Sequence, residues 1–141
     1  MSGPDATPYD LFGGAAFFES LVAAFYDRVG RDPVLRPMYP GDDLAGAQRR
    51  LTLFLGQYWG GPGTYSQERG HPRLRMRHAG FPIDSVARDR WLSLMHEALV
   101  EQGLPEASER VLWQYLVGAA FAMQNIADDA PPANAIDVTE A

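Results

Sequence analysis

The segment Arg69–His78 concentrates more potential chemistry than any other part of the chain. Within these ten residues lie four of the twelve arginines and two of the three histidines. Guanidinium groups bind carboxylates and phosphates well, so the segment is a candidate anion site. A solvated surface turn would have the same composition, and spacing alone does not separate the two interpretations.

His78 is the histidine best placed to bind a metal, because it lies between the arginines and the apolar segment 79–83. An imidazole in that position suits the axial ligand of haem, a cofactor with an apolar body and two acidic propionates. A hydrogen-bonded core histidine is the alternative interpretation. His71 precedes a proline, which biases its backbone away from a helix. His96 fits a surface position beside Glu97.

Three aromatic residues that carry hydrogen-bond donors form a second candidate set: Tyr26, Tyr39 and Trp91. Each lies on or next to an apolar stripe, and a buried phenol or indole needs a partner for its donor. Taken alone, the pattern favours core residues with satisfied polar ends over a ligand site.

The composition excludes several classes of protein. The absence of cysteine rules out disulfides, thiolate catalysis and Cys-ligated zinc or iron–sulfur sites. All twelve basic residues are arginine, and the net charge of −6 argues against nucleic acid or an anionic membrane as the main partner. No segment approaches the ~20 apolar residues of a membrane helix. The N-terminus lacks the features of a secretory signal, so we expect a cytoplasmic protein.

The elements that must position these residues are all predicted to be helices. Apolar residues recur every three or four positions along 17–29, 44–58, 86–99 and 111–123, which is the period of one helical face. Helix-start signals are found at Asp32-Pro33, Asp42 or Asp43, Asp84 and Pro105. No stretch alternates long enough to demand a strand, so the prediction is all-α.

The remaining segments are predicted to be loops and ends. The glycine-rich stretch 60–71 is predicted to be a long loop, followed by a short helix over 72–79. Residues 1–8 are expected to form a flexible arm. Residues 126–141 contain four acidic residues, no basic ones and two adjacent prolines, so they are expected to be a disordered tail. The folded domain then spans residues 9–125.

A long ordered series of motifs runs through this domain. It comprises Phe25-Tyr26, PVLRPMYP at 33–40, DLAGA at 43–47, FLGQYWGGP at 54–62, TYS at 64–66, GHPRLRMRH at 70–78 and RDRW at 88–91. The series resembles the group II truncated haemoglobins, the bacterial two-over-two globins, over nearly the whole body of the chain. A series of this length is far more specific than any single motif.

The resemblance implies a two-over-two helical sandwich with haem b between the helix of residues 43–58 and that of residues 84–103. His78 matches the proximal iron ligand of the family. The residues that match its distal hydrogen-bonding set are Tyr26, Tyr39 and Trp91. The residues implied to line the haem pocket are Ala47, Leu51, Phe54, Leu55 and Phe81, with Ala47 where many globins have a distal histidine. The candidate partners of the propionates are Arg75 and Arg77.

These roles predict a protein that binds dioxygen and other diatomic ligands opposite His78. Dioxygen gains negative charge on binding to ferrous iron, so hydrogen-bond donors in a dry pocket hold it and slow its release. Slow release suits sensing, scavenging, or nitric-oxide or peroxide chemistry better than oxygen delivery. Repeated turnover is expected to need an external electron donor, since no reductase domain is found in this sequence. Assembly into a homo-oligomer stays open.

A function of a different class is a haem-free helical module that binds a protein partner through the basic cluster Arg69–Arg77. An absorption spectrum separates the two hypotheses. A haem protein shows a Soret band, whereas the interaction module stays colourless even after haem is added.

Replacement of His78 tests the implied iron ligand. We expect His78→Ala to weaken haem retention and to abolish the spectrum of a five-coordinate ferrous histidine complex, because neither of the other histidines is placed to substitute. His71→Ala and His96→Ala should leave that spectrum unchanged, as measured by absorption and resonance Raman spectroscopy. Loss of the spectrum in His71→Ala would instead identify His71 as the ligand.

Overall fold

The computed structural model describes residues 7–39, 43–70 and 83–124. These ranges contain helices α1 (Pro8–Phe12), α2 (Gly14–Val29), a 3-10 helix (Arg36–Met38), α3 (Leu44–Tyr58), α4 (Thr64–Arg69), α5 (Ser85–Glu101) and α6 (Glu106–Met123). No strand occurs within the described ranges, in agreement with the all-α prediction. None of the helices described is long and apolar enough to cross a membrane.

The four long helices form two packed layers. Helix α2 packs against both α3 and α5, and α5 packs against α6. The apolar face of α2 is buried almost completely and supplies the centre of the core. Its buried residues are Phe17, Phe18, Leu21, Val22, Phe25, Tyr26 and Val29. Each such side chain contributes about 1.5–3 kcal/mol when removed from water, so α2 organises the domain.

Most of the predicted helix starts are confirmed. A carboxylate oxygen of Asp84 accepts a hydrogen bond from the N–H of Ala87 at 2.9 Å and caps α5. Pro105 directly precedes α6. Asp43 occupies the N-cap position of α3 without capping it, because its carboxylate pairs with Arg50 at 3.0 Å.

The predicted loop over 60–71 is wrong in part, since it contains the short helix α4. Two polar contacts with α3 hold α4 in place, together with the ring of Tyr65, which packs against Phe54 at 5.5 Å. The side-chain amide of Gln57 donates to Ser66 Oγ at 2.8 Å and accepts from the N–H of Ser66 at 3.0 Å. Arg49 also makes two 2.8 Å hydrogen bonds to Glu68. The helix predicted over 72–79 lies outside the described residues.

The start of the folded domain also differs from the prediction, because Thr7 and Pro8 begin α1 rather than belonging to an arm. Thr7 and Asp10 form a reciprocal capping box. The ring of Tyr9 stacks on Phe18 at 5.5 Å, and its N–H donates to the carbonyl of Trp59 at 2.9 Å. The rest of the predicted arm and the predicted tail lie outside the described residues.

Two glycines after α3 allow α1 to approach this closely. A Cβ atom on Gly61 would lie 2.6 Å from the ring of Tyr9 and 2.8 Å from the carbonyl oxygen of Gly56. Gly60 has a φ of +104°, and a Cβ atom there would lie 2.7 Å from Thr7. The docking of α1 therefore depends on the absence of side chains at both positions.

A pair of glycine substitutions tests this contact. We expect Gly61→Ala to lower the free energy of unfolding by about 1–3 kcal/mol, because the added methyl group overpacks the interface. Gly118 lies on an exposed turn of α6 with no atom within 4 Å of a Cβ placed there. Gly118→Ala should therefore raise the free energy of unfolding by about 0.5–1 kcal/mol. Chemical denaturation measures both, and equal effects would contradict the proposed docking contact.

Candidate functional site

A cavity of about 430 Å³ lies between α3 and the pair α5 and α6. This volume is in the range of small-molecule and cofactor sites. Helix α2 and the segment around the 3-10 helix close one end, and α4 contributes to another wall. Aliphatic and aromatic side chains form most of the wall, so the cavity suits a ligand with a largely apolar body.

Seven of the predicted site residues line this one cavity. They are Tyr26, Tyr39, Ala47, Leu51, Phe54, Leu55 and Trp91. The four residues from α3 lie on one helical face, as their spacing predicts. Four further predicted site residues, Arg75, Arg77, His78 and Phe81, lie outside the described residues.

The aromatic donors meet at the end of the cavity next to α2. The rings of Tyr26 and Tyr39 pack edge to face with centroids 5.5 Å apart. Phe25 supports them from behind, with its ring 4.9 Å from Tyr26 and 5.2 Å from Trp91. These residues come from α2, the segment after the 3-10 helix, and α5, so only the folded chain brings them together.

Burial and hydrogen bonding shift the pKa values of the two phenols in this group. Burial, followed by the proximity of Tyr39 and a hydrogen bond to it, raises the pKa of Tyr26 well above its usual value. Burial also raises the pKa of Tyr39, against hydrogen bonds from Tyr26 and Trp91 that lower it. Tyr39 is therefore linked to both Tyr26 and Trp91. Of these three groups the indole of Trp91 can only donate, so it gives its N–H to the oxygen of Tyr39.

A buried carboxylate holds this arrangement together. Asp32 accepts hydrogen bonds from the N–H groups of Val34 and Leu35 at 3.0 and 2.9 Å, and from Nε of Arg90. The hydrogen bonds from Leu35, Arg90 and Val34 lower the pKa of Asp32, although burial, the largest single effect, acts to raise it. Arg90 immediately precedes Trp91. The interaction therefore connects the turn that leads to Tyr39 with the helix that carries Trp91.

Three arginines that were not predicted as haem contacts also line the cavity: Arg50, Arg69 and Arg88. The guanidinium group of Arg88 lies 4.0 Å from the ring centre of Phe121. A signal for Arg50 was present in the sequence, because it follows Ala47 by three residues and so falls on the same face of α3. Arg88 carries the same signal, because it precedes Trp91 by three residues and so falls on the same face of α5.

The described residues fit haem as a cofactor. The apolar walls match the macrocycle, the cavity-lining arginines match two carboxylates, and the donors lie at one end. No group of three His, Cys, Asp or Glu side chains suited to a metal ion occurs within the described residues. Haem needs no such group, since a single axial histidine is sufficient. The one histidine in the described ranges, His96, is exposed and packs against Trp113 at 4.8 Å rather than lining the cavity.

Comparison with known proteins decides the family. The model of the family described as "Bacterial-like globin" matches residues 7–125. The chain belongs to the bacterial-like globins. Haem is therefore its cofactor, and this globin binds diatomic ligands such as oxygen through it. The family assignment excludes the haem-free interaction module.

In sequence and structure this globin is similar to the group II truncated haemoglobins. Group 2 truncated hemoglobin YjbI of Bacillus subtilis is 44% identical over 97 residues, which are 69% of this chain and 72% of that protein. A thermostable hemoglobin from Thermobifida fusca matches with a TM-score of 0.84 and 55% identity, covering 85% of this chain and 98% of that one. A truncated oxygen-avid haemoglobin from Bacillus subtilis matches with a TM-score of 0.79 and 40% identity, covering 84% and 99%. The two-over-two fold is confirmed.

The buried carboxylate of this globin predicts a specific dependence of stability on pH. Because the pKa of Asp32 is lower in the folded state, its contribution to stability is present at neutral pH and is lost as the pH falls below about 4. We expect Asp32→Asn to reduce the free energy of unfolding at pH 7 by about 1–2 kcal/mol, a modest value because Arg90 is half-exposed. The difference from wild type should shrink at acid pH. Denaturation at a series of pH values measures it.

The matched control is Asp27→Asn. Asp27 also pairs with an arginine, Arg31, but both side chains are about 70% exposed, so this variant should change stability by no more than about 0.5 kcal/mol. Equal effects of the two variants at pH 7 would show that the buried carboxylate has no special role.

Proposed function

We propose that this globin holds dioxygen tightly at a haem iron ligated by His78 and releases it slowly. The observation that carries the proposal is the convergence of Tyr26, Tyr39 and Trp91 at one end of the cavity. In this proposal Tyr26 donates to the oxygen of Tyr39, so that the hydroxyl hydrogen of Tyr39 points to the ligand. The relative named as oxygen-avid, which is 40% identical, is consistent with tight binding.

Bound haem supplies the iron that binds the diatomic ligand. The contribution of the chain is a dry pocket with donors already oriented, so that a ligand gaining negative charge is stabilised without reorganisation of the pocket. Tyr39 donates its hydrogen into the cavity. Ala47, which is small and buried, leaves the space in which that donor reaches a ligand.

Tyr26 and Trp91 have different parts in this proposal. Tyr26 is buried inside the aromatic cluster and acts through Tyr39, since its own hydrogen is given to the Tyr39 oxygen. Trp91 holds the same oxygen from the side of α5, and because it also lines the cavity, we expect its indole N–H to be shared with a ligand. The raised pKa values keep both phenols protonated at neutral pH, so their donors persist.

The arginines are proposed to bind the haem carboxylates. Arg50 and Arg69 lie on α3 and α4 and line the cavity, and Arg75 and Arg77 remain candidates from the sequence. A guanidinium group forms two parallel hydrogen bonds with a carboxylate, which fixes orientation as well as binding. In this proposal the arginines set how the haem is turned within its pocket.

Single substitutions in the aromatic cluster test the proposal through oxygen release. A hydrogen bond to a charged acceptor is worth about 1.5–3 kcal/mol, so loss of a direct donor should speed release by roughly ten- to a hundredfold. We expect this from Tyr39→Phe and Trp91→Phe, and a smaller effect from Tyr26→Phe. Stopped-flow displacement of oxygen by carbon monoxide measures the rates.

Two comparisons control for simple opening of the pocket. Carbon monoxide gains little negative charge, so its release should respond less than that of oxygen in every variant. Because Tyr26 acts through Tyr39, adding Tyr26→Phe to Tyr39→Phe should change oxygen release very little. Unchanged oxygen release in both Tyr39→Phe and Trp91→Phe would refute the proposed cage.

A further inference from the structure

A stacked pair of tyrosines connects the wall of the cavity to the protein surface. Tyr115 on α6 lines the cavity. Tyr58, the last residue of α3, is 53% exposed. The two ring centroids are 4.1 Å apart, with 28° between the ring planes. The two phenols are thus in contact, with one ring at the cofactor site and the other in water.

The pair is supported on its inner side by further aromatic rings. Trp59 packs edge to face against Tyr58 at 5.2 Å and against Tyr115 at 5.6 Å. Phe54, which also lines the cavity, lies 6.3 Å from Tyr58. These contacts hold the stacked geometry between the end of α3 and the middle of α6.

The two tyrosines differ in where their protons can go. Burial, and then the proximity of Tyr58, raise the pKa of Tyr115 to about 12. Tyr115 therefore does not readily give up its proton, so an oxidised Tyr115 is a short-lived intermediate and not the final site of oxidation. Tyr58 faces solvent, so a proton lost on oxidation passes directly to water. When this pair is oxidised, the tyrosyl radical therefore forms on Tyr58.

We propose that Tyr115 and Tyr58 conduct oxidising equivalents from the haem cavity to the surface, which makes Tyr58 an oxidation site for phenols too bulky to enter the cavity. The proposal rests on the haem cofactor and the ligand-binding function proposed above. Its oxidant is hydrogen peroxide and its electron donors are phenols.

The reaction balances with these reactants. Reduction of one hydrogen peroxide to two waters breaks its O–O bond and consumes two electrons and two protons. Two phenol O–H groups supply them, one electron and one proton each. Without an added donor, the Tyr58 radicals of two molecules couple through a new C–C bond, and the displaced ring hydrogens return to the oxygens. With an added phenol, that phenol gives up its hydrogen atom and restores Tyr58.

The other tyrosines of the described residues lack this combination. Tyr26 and Tyr39 are engaged in the hydrogen-bond network at the other end of the cavity, and Tyr65 is buried. Tyr9 stacks on Phe18 and does not line the cavity. Within the described part of the chain, Tyr58 is the exposed tyrosine that stacks on a tyrosine of the cavity wall.

The experiment treats the full haem-loaded chain with hydrogen peroxide and measures dityrosine fluorescence, covalent dimers on denaturing gels, and the cross-linked peptides by mass spectrometry. We expect a dimer joined through Tyr58. Tyr58→Phe should lose the dimer, and Tyr115→Phe should lose most of it although Tyr58 is still present. Tyr9→Phe, which removes a tyrosine that does not line the cavity, should form the dimer as wild type does. A polymer-tethered phenol should be oxidised more slowly by Tyr58→Phe than by wild type.

Three results would overturn the proposal: cross-linking through a different tyrosine, wild-type cross-linking in Tyr115→Phe, or equal cross-linking of the haem-free chain. Each variant retains its aromatic ring and so preserves the packing, and the Soret band reports on folding around haem in each. A normal Soret band without cross-linking at Tyr58 refutes this inference alone. Absence of the Soret band from the wild-type chain refutes haem binding as well.

Discussion

The carboxylate of Asp32 joins parts of the chain that are 58 residues apart, because it bonds to Arg90 as well as to its own turn. The cavity depends on this interaction. Tyr39 follows the turn that Asp32 stabilises, and Trp91 follows Arg90. The distance between the two donors is therefore set by the Asp32 carboxylate, which does not itself line the cavity. A charge buried this deeply is tolerated only because its oxygens are all engaged.

The apolar part of the fold divides its tasks between two regions. Helix α2 and the inner faces of α5 and α6 pack tightly and carry the stability of the domain. The faces of α3 and α6 that point toward each other stay apart over most of their length and meet through the rings of Tyr58, Trp59 and Tyr115. The cofactor thus occupies the cavity between α3 and α6, which the packed core does not need to fill. Only a few polar side chains are needed to line that cavity.

Helical periodicity predicted α2, α3, α5 and α6 because each buries one long face, and that burial leaves a repeating signal. Helices α1 and α4 were missed because five or six residues are too few to show a period. Their positions depend instead on a few specific tertiary contacts, such as Gln57 with Ser66 and Gly61 with Tyr9. The cavity residues were identified through the family resemblance, because a tyrosine in a sequence does not by itself reveal whether it belongs to the core or to a binding site. Arg50 and Arg88 were missed although each lies three residues from a predicted site residue on the same helical face.

Helix α4 has little stability of its own, since six residues cannot form a stable isolated helix. It is held on α3 by the ion pair of Arg49 with Glu68, by the side chain of Gln57, and by the buried ring of Tyr65, which packs against Phe54. Through these contacts α4 contributes Tyr65 and Arg69 to the cavity wall. One face of α3 thus lines the cavity directly, while Arg49 and Gln57 of the same helix hold the neighbouring helix that completes the wall, so a change on α3 reaches the cofactor site by two routes.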